Sequence, residues 1–328
     1  MLEPTSAKEP VLLRKEDTPV LLMNETAEKP KVNKQLKGFL LAITGATLWG
    51  VSGTFGQFLF QQRGVNVEWL ITVRMLISGV ILLLYAYATN RRQTMSIWKH
   101  KRNALQLVIF GITGMVAVQY TYFAAIKHSN AATATILQFA GPVLIAIYLG
   151  LKNRKLPSKF EVLAIALAVL GTFLLVAHGD IGKLSISKMA FLMGIASAFA
   201  LAIYTLQPVT LLSKYDSTIV VGWGMLIGGV AFSFIHEPWK VEGVWDGYSL
   251  VSAAFIIIFG TLIAFYTYLT AVKLIGGQKS SLLASAEPLS AAVLSVVWLH
   301  VPFYAIDWIG SLCIISTVFI LSRTGKKA

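Results

Sequence analysis

The chain has 328 residues, 56% hydrophobic and 13% charged, with a formal net charge of +13. Soluble globular domains carry about 25% charged residues, so this composition excludes an ordinary water-soluble fold. The single cysteine, Cys313, excludes an intrachain disulfide and reads as a packing residue, and no Cys/His cluster offers a metal site.

Residues 1–36 are polar and mix acids with bases. They lack the short basic start and apolar core of a secretory signal, so a disordered cytoplasmic tail is expected. From there the chain alternates between apolar runs and short polar links. A helix crossing a membrane needs roughly 20 mostly apolar residues. Ten runs qualify: 38–60, 68–89, 104–126, 131–151, 159–177, 188–212, 217–235, 249–272, 279–299 and 303–322. Residues 324–328 follow as a short tail.

The basic residues sort by side. Arg91, Arg92, Lys99, Lys101, Arg102, Lys152, Arg154, Lys155, Lys159, Lys214, Lys273, Lys279, Arg323, Lys326 and Lys327 share one side with the basic residues of the N-terminal tail. Arg63, Lys127, Lys183, Lys188 and Lys240 fall on the other. Lys and Arg concentrate in cytoplasmic loops, so both termini are expected inside. The positive charge is then a topology signal, and no nucleic-acid partner is expected.

The runs also repeat. "RMLISGV" (Arg74–Val80) returns as "GMLIGGV" (Gly224–Val230). "YFAAIKHSNAATATILQFAGP", ending at Pro142, aligns without a gap with "YLTAVKLIGGQKSSLLASAEP", ending at Pro288. Tyr122 thereby pairs with Tyr268 and Lys127 with Lys273. Each half holds five spans, an odd number, so the halves must be inverted relative to each other. Inverted repeats are the architecture of many secondary transporters, which exchange inward-open and outward-open states.

"GATLWGVSGTF" (Gly45–Phe55), "VRMLISG" (Val73–Gly79), "ILQFAGPVL" (Ile136–Leu144) and "LLASAEPLSAAVL" (Leu282–Leu294) together resemble the drug/metabolite transporter superfamily, in its ten-span branch with EamA-type repeats. The resemblance implies an all-α polytopic membrane protein of ten transmembrane helices, built as two inverted five-helix repeats over 37–178 and 187–323. It also implies a multi-pass protein of the cell membrane that moves a small polar or amphipathic metabolite such as an amino acid, with export the favoured direction. One departure stands out: the "LWG" of the first span has no counterpart in the sixth, which reads "SAFALAIY" (Ser197–Tyr204).

Two ionisable residues are read as lying inside the spans, Arg74 and Glu287. A charge at the bilayer centre costs roughly 2.5–3.5 kcal/mol on insertion scales, so such groups face a cavity or a partner. Arg74 lies about 9 Å from the outer end of its span at 1.5 Å rise per residue. It can snorkel outward, or pair with Glu287 or with a substrate carboxylate. Glu287 lies about 12 Å from Lys279 by the same rise, near mid-membrane. Its readings are a proton-coupling site, a counter-charge for an ammonium group, or a structural carboxylate. Pro142 and Pro288 break the helix at matching places in the two halves, a pointer to a binding site at the repeat interface. Lacking an N–H, they are expected to leave the carbonyls of Gln138 and Ala284 free for a ligand and to act as hinges.

Candidate substrate-binding residues are Trp49, Gln119, Tyr122, Gln138, Tyr204, Tyr266 and Glu287, with packing or interhelical hydrogen bonding as the alternative for each. Trp49 matches the family pattern, and the resemblance places the helices of Gln119 and Tyr204 around the cavity. Gly45, Gly50, Gly53 and Gly56 in the first span are read as close-packing positions.

The expected partners are a small-molecule substrate, the lipid bilayer and, as a candidate coupling ion, protons, with the chain acting as a monomer or homodimer. No cofactor and no catalytic residue are expected. No H-E-x-x-H, G-x-S-x-G or P-loop motif is present. The rival reading is a flippase or translocator of a lipid-linked or drug-like amphipathic substrate.

Overall fold

The computed structural model describes residues 34–154, 156–177, 187–299 and 304–324. The expected disorder of the tail concerns residues that lie, up to residue 33, outside the described ones. Residues 34–36, read as tail in the sequence, instead begin α1 (Lys34–Gln62). Lys, Gln and Leu are good helix formers, and nothing separates them from the apolar run that follows.

Every regular element among the described residues is helical. The first part of the chain forms α1, α2 (Val67–Ser96), a 3₁₀ turn (Ile97–Lys99), α3 (Lys101–Ile109), α4 (Ala117–His128), α5 (Ala131–Gln138), α6 (Ala140–Asn153) and α7 (Lys159–Ala177). The second part forms α8 (Lys188–Leu206), α9 (Val209–Leu212), α10 (Ser217–Ser233), α11 (Gly247–Ile257), α12 (Ala264–Ile275), α13 (Gly277–Leu283), α14 (Ala286–Leu299) and α15 (Ala305–Thr324).

Among the described residues, six helical stretches are long and apolar enough to cross a membrane: Lys34–Gln62, Val67–Lys99, Lys101–His128, Thr133–Asn153, Lys188–Leu212 and Gly247–Ile275. Ser217–Ser233 and Ala305–Thr317 are shorter apolar helices.

Local chemistry sets the ends. Asn66, Asn130, Ser187 and Asp246 each accept, through a side-chain oxygen, the backbone N–H three residues on, which caps α2, α5, α8 and α11. Asn90 leaves helical geometry (φ −153°, ψ 73°), so α2 bends where its apolar run gives way to Arg91 and Arg92.

Two joints are not α-helical in the ordinary sense. Phe110–Val116 joins α3 to α4 as a π-helix, here π1, and Ile258–Ile263 joins α11 to α12 as a second, π2. Such wide turns are rare and frequent at functional sites. Two further interruptions fall just before the repeated prolines. Phe139 separates α5 from α6, and Ala284 and Ser285 separate α13 from α14. The Ala284 carbonyl is not free, because it accepts the Glu287 N–H at 2.9 Å. With no N–H on Pro288 to fill the i−4 bond, the preceding amide takes the acceptor in a tighter turn.

Small residues bring the helices together, as expected where lipid removes the hydrophobic drive for helix association. A Cβ on Gly79 of α2 would lie 2.7 Å from the Leu226 amide nitrogen of α10, and one on Gly229 would lie 3.0 Å from that of Leu76. These two helices therefore touch backbone to backbone.

The two ends of the bundle differ in their closures. At one, the segment 234–246 folds over α1 and α2: Arg63 pairs with Asp246 at 3.0 Å, and Trp69 Nε1 donates to Pro238 O. At the other, Lys273 Nζ donates to Tyr215 O and lies 3.7 Å from Asp216 Oδ1. There too, Asn103 Nδ2 donates to the Tyr215 hydroxyl and Lys214 Nζ to Asn103 Oδ1. A third ionisable residue within the expected spans, Asp307, not counted in the sequence reading, is fully buried in the first turn of α15. It accepts the Tyr304 N–H at 2.7 Å, at the end of a helix that favours negative charge.

Candidate functional site

One largely apolar cavity, with a few polar groups on its wall, lies among the helices of both parts of the chain. Its wall is Trp49 and Ser52 from α1, Arg74 from α2, Val118, Gln119, Tyr122 and Phe123 from α4, and Gln138 from the end of α5. Leu201 and Tyr204 of α8, Phe265 of α12 and Glu287 of α14 complete it. Its volume is about 40 Å³, above the roughly 10–15 Å³ that a cavity needs to hold one water.

Both helix breaks open here. Gln138 is the last residue before the first break and Glu287 the second residue after the other. Glu287 is 4% exposed, and its Oε1 accepts the Tyr122 hydroxyl at 2.8 Å. The same hydroxyl lies 2.9 Å from Thr135 Oγ1. Helix α1 passes close behind the acid. A Cβ on Gly50 would collide with the Glu287 carbonyl and Ser290 Oγ, so only glycine lets Trp49 and Ser52 reach the cavity from this distance.

Arg74 faces the acid's cavity from the other side. It is 3% exposed, so it does not snorkel, and among the described residues no carboxylate, Glu287 included, lies within 4.0 Å of it. The π2 turn holds it instead. Arg74 Nε donates to Thr261 Oγ1 at 2.7 Å and Nη2 to Gly260 O at 3.4 Å. Its guanidinium lies 4.6 Å from the Phe123 ring centre and 5.9 Å from that of Phe265. Cation–π contact of this kind strengthens as water is removed. A guanidinium has five N–H donors, so donors remain that no group among the described residues takes.

Three further polar groups on this wall have no hydrogen-bond partner among the described residues: Trp49 Nε1, Gln119 Oε1 and the Tyr204 hydroxyl. Gln119 spends its amide nitrogen on Met115 O at 3.1 Å. Tyr204 is fully buried, stacked on Tyr268 with ring centres 5.8 Å apart, and Trp49 sits edge-on to Phe265 at 5.1 Å. An unpartnered buried polar group forfeits about 1–3 kcal/mol, which a bound polar molecule or water recovers. The set offers a donor, an acceptor, a hydroxyl, an acid and a base.

Of the residues singled out in the sequence, Trp49, Gln119, Tyr122, Gln138, Tyr204 and Glu287 line this cavity, with Arg74. Tyr266 does not; it is 36% exposed, on the outward face beside Phe265, which does. The wide turn at π2 rotates the following helix, so an ordinary α-helical register does not give its facing. Pro142 and Pro288 are buried in α6 and α14, beside the breaks rather than on the cavity wall. The sequence reading passed over Ser52, Val118, Phe123, Leu201 and Phe265. Nothing sets these apolar and small residues apart from packing positions.

Among the described residues, an all-helical bundle with apolar outer faces, broken helices and a buried Arg and Glu around one central cavity defines a polytopic membrane protein. The sequence profile of the EamA-like transporter family matches it twice, over residues 36–177 and 188–323, and the chain belongs to that family. It is similar to the uncharacterized inner membrane transporter YicL of Salmonella typhimurium, 38% identical over 291 residues that span 89% of this chain and 97% of the relative. The uncharacterized transporter YetK of Bacillus subtilis is 24% identical, with 88% of each chain covered. A solved protein structure superposes with a TM-score of 0.70 over 90% of this chain and 98% of its own, at 18% identity, which speaks to the fold alone.

Proposed function

We propose that this chain is a secondary carrier that moves a small zwitterionic metabolite, such as an amino acid, by alternating access of the central cavity. The observation that carries this reading is the pair Arg74 and Glu287. A guanidinium and a carboxyl line one cavity, yet no ion pair within 4.0 Å joins them. A molecule bearing both a carboxylate and an ammonium group satisfies both, and its polar atoms meet Trp49, Gln119 and Tyr204. At about 40 Å³ the cavity admits only a small polar head, so passage requires the walls to part.

In this reading the chain crosses the membrane ten times, as two inverted halves over 37–178 and 187–323, with the breaks before Pro142 and Pro288 as hinges. Export is the favoured direction, and protons are the candidate coupling ion.

The test is counterflow in proteoliposomes of the purified chain, with labelled amino acids, nucleosides, quaternary amines and sugars, with and without a pH gradient. Exchange of amino acids above the other classes is expected. Exchange confined to sugars or quaternary amines sinks the zwitterion reading. Movement of none, with transfer of a labelled lipid between leaflets, replaces the carrier with a flippase.

Orientation is tested separately, in a Cys313→Ala background. Val241→Cys, in the exposed 234–246 segment, is expected to react with a membrane-impermeant maleimide from outside intact cells. Lys101→Cys is expected to react only after permeabilisation. The reverse pattern overturns the proposed topology.

A further inference from the structure

Away from the central cavity, one face of α10 is left bare. Trp223, Leu226, Ile227, Val230 and Ala231 follow each other at helical spacing along it and, with Phe234 just past its end, line an open apolar groove. Trp98, in the 3₁₀ turn that follows α2, closes the groove at one end, its ring 5.1 Å from that of Trp223 and nearly perpendicular to it. Trp223 Nε1 donates to Thr94 O at 3.1 Å, which fixes the pair. Indole rings with one polar edge collect at membrane interfaces. From Trp223 to Phe234 the groove runs eleven residues, about 16 Å at 1.5 Å rise. That is close to half of a roughly 30 Å hydrocarbon core, the depth of one leaflet.

The segment that carries Trp98 is basic. Lys99, Lys101 and Arg102 follow it directly, and Arg91 and Arg92 precede it. All five are exposed, and among the described residues none pairs with a carboxylate. We infer that this face is a binding site for an anionic phospholipid, with its phosphate against Lys99, Lys101 and Arg102 and an acyl chain along the α10 groove. Basic pockets beside membrane helices recognise anionic headgroups in this way. A second copy of the chain fits less well, because two copies facing each other in the same orientation bring two unpaired basic segments together. The inference rests on the membrane embedding alone, not on what the central cavity carries.

Native mass spectrometry of the detergent-purified full chain, offered equal amounts of phosphatidylglycerol and phosphatidylcholine, tests it. The wild type is expected to retain one phosphatidylglycerol per chain, about tenfold over phosphatidylcholine. Lys99→Gln/Lys101→Gln/Arg102→Gln changes only exposed residues, and is expected to remove that preference. Val230→Trp fills the groove and is expected to reduce retention of both lipids while the basic segment stays intact. Equal retention of the two lipids by the wild type overturns the inference, as does a preference that survives the triple substitution. A chain dimer that Val230→Trp dissolves, with lipid retention unchanged, assigns the groove to a second copy instead.

Discussion

Glu287→Gln is expected to abolish the response of transport to an imposed pH gradient while leaving the protein folded. Gln keeps the shape of the side chain and still accepts the Tyr122 hydroxyl, which now reaches Glu287 Oε1 at 2.8 Å. It cannot take up or release a proton. The acid is 4% exposed and has no basic partner within 4.0 Å among the described residues, so a single-atom change there removes the carboxyl chemistry and little else. Losing a charged hydrogen bond to substrate costs about 1.5–3 kcal/mol, and 1.36 kcal/mol is tenfold in rate. Gradient-driven accumulation should therefore fall to the level seen without a gradient, and substrate exchange, which loses the charged hydrogen bond, should slow by about tenfold. The measurement is proteoliposome transport of wild type and variant side by side at several imposed gradients. A variant that still follows the gradient as the wild type does removes Glu287 from any coupling role.

Arg74 carries the second large effect. Arg74→Gln keeps a hydrogen-bond donor for Thr261 Oγ1 and Gly260 O but loses the cation that sits 4.6 Å from the Phe123 ring. If this cation receives the substrate carboxylate, the half-saturation concentration rises by roughly tenfold to a hundredfold, the worth of one charged hydrogen bond. Arg74→Lys separates recognition from packing. It restores the charge but not the planar fork that holds Thr261, Gly260 and a ligand together, so partial recovery is expected. Should Arg74→Gln leave the half-saturation unchanged in folded protein, Arg74 is a structural strut between α2 and π2. The carboxylate half of the zwitterion reading then fails.

Six of the ten expected spans were legible, because length and hydropathy report membrane crossing almost directly. The breaks were legible because proline cannot supply an N–H, and both fall just before Pro142 and Pro288. What happens at the break was not. The sequence reading left the Ala284 carbonyl free, yet the Glu287 amide takes it in a tighter turn. The candidate site was legible where polarity marked it. Trp49, Gln119, Tyr204 and Glu287 stand out in apolar surroundings, whereas Ser52 and Phe265 do not. The facing of Tyr266 was lost to π2, since "IFGTLI" carries no sign that its turn is wide. That same turn presents Gly260 O and Thr261 Oγ1 to Arg74, so the guanidinium's partners were also beyond reach of pattern. Asp307 was overlooked because it sits at a helix start, where an acid caps rather than interrupts.

The gapless alignment that pairs Pro142 with Pro288 also pairs Gly141 with Glu287. Among the described residues the cavity thus has one carboxylate, on one half only. If that group is where protons board, it sets a stoichiometric ceiling of one proton for each turnover. Free energy of about 1.4 kcal/mol corresponds to a tenfold ratio, so one pH unit can hold a substrate gradient of about tenfold and no steeper. A membrane potential adds about 2.3 kcal/mol per 100 mV for each charge moved. A cell relying on this protein to keep a metabolite hundreds of times more dilute on one side would therefore depend on its voltage more than on its acidity.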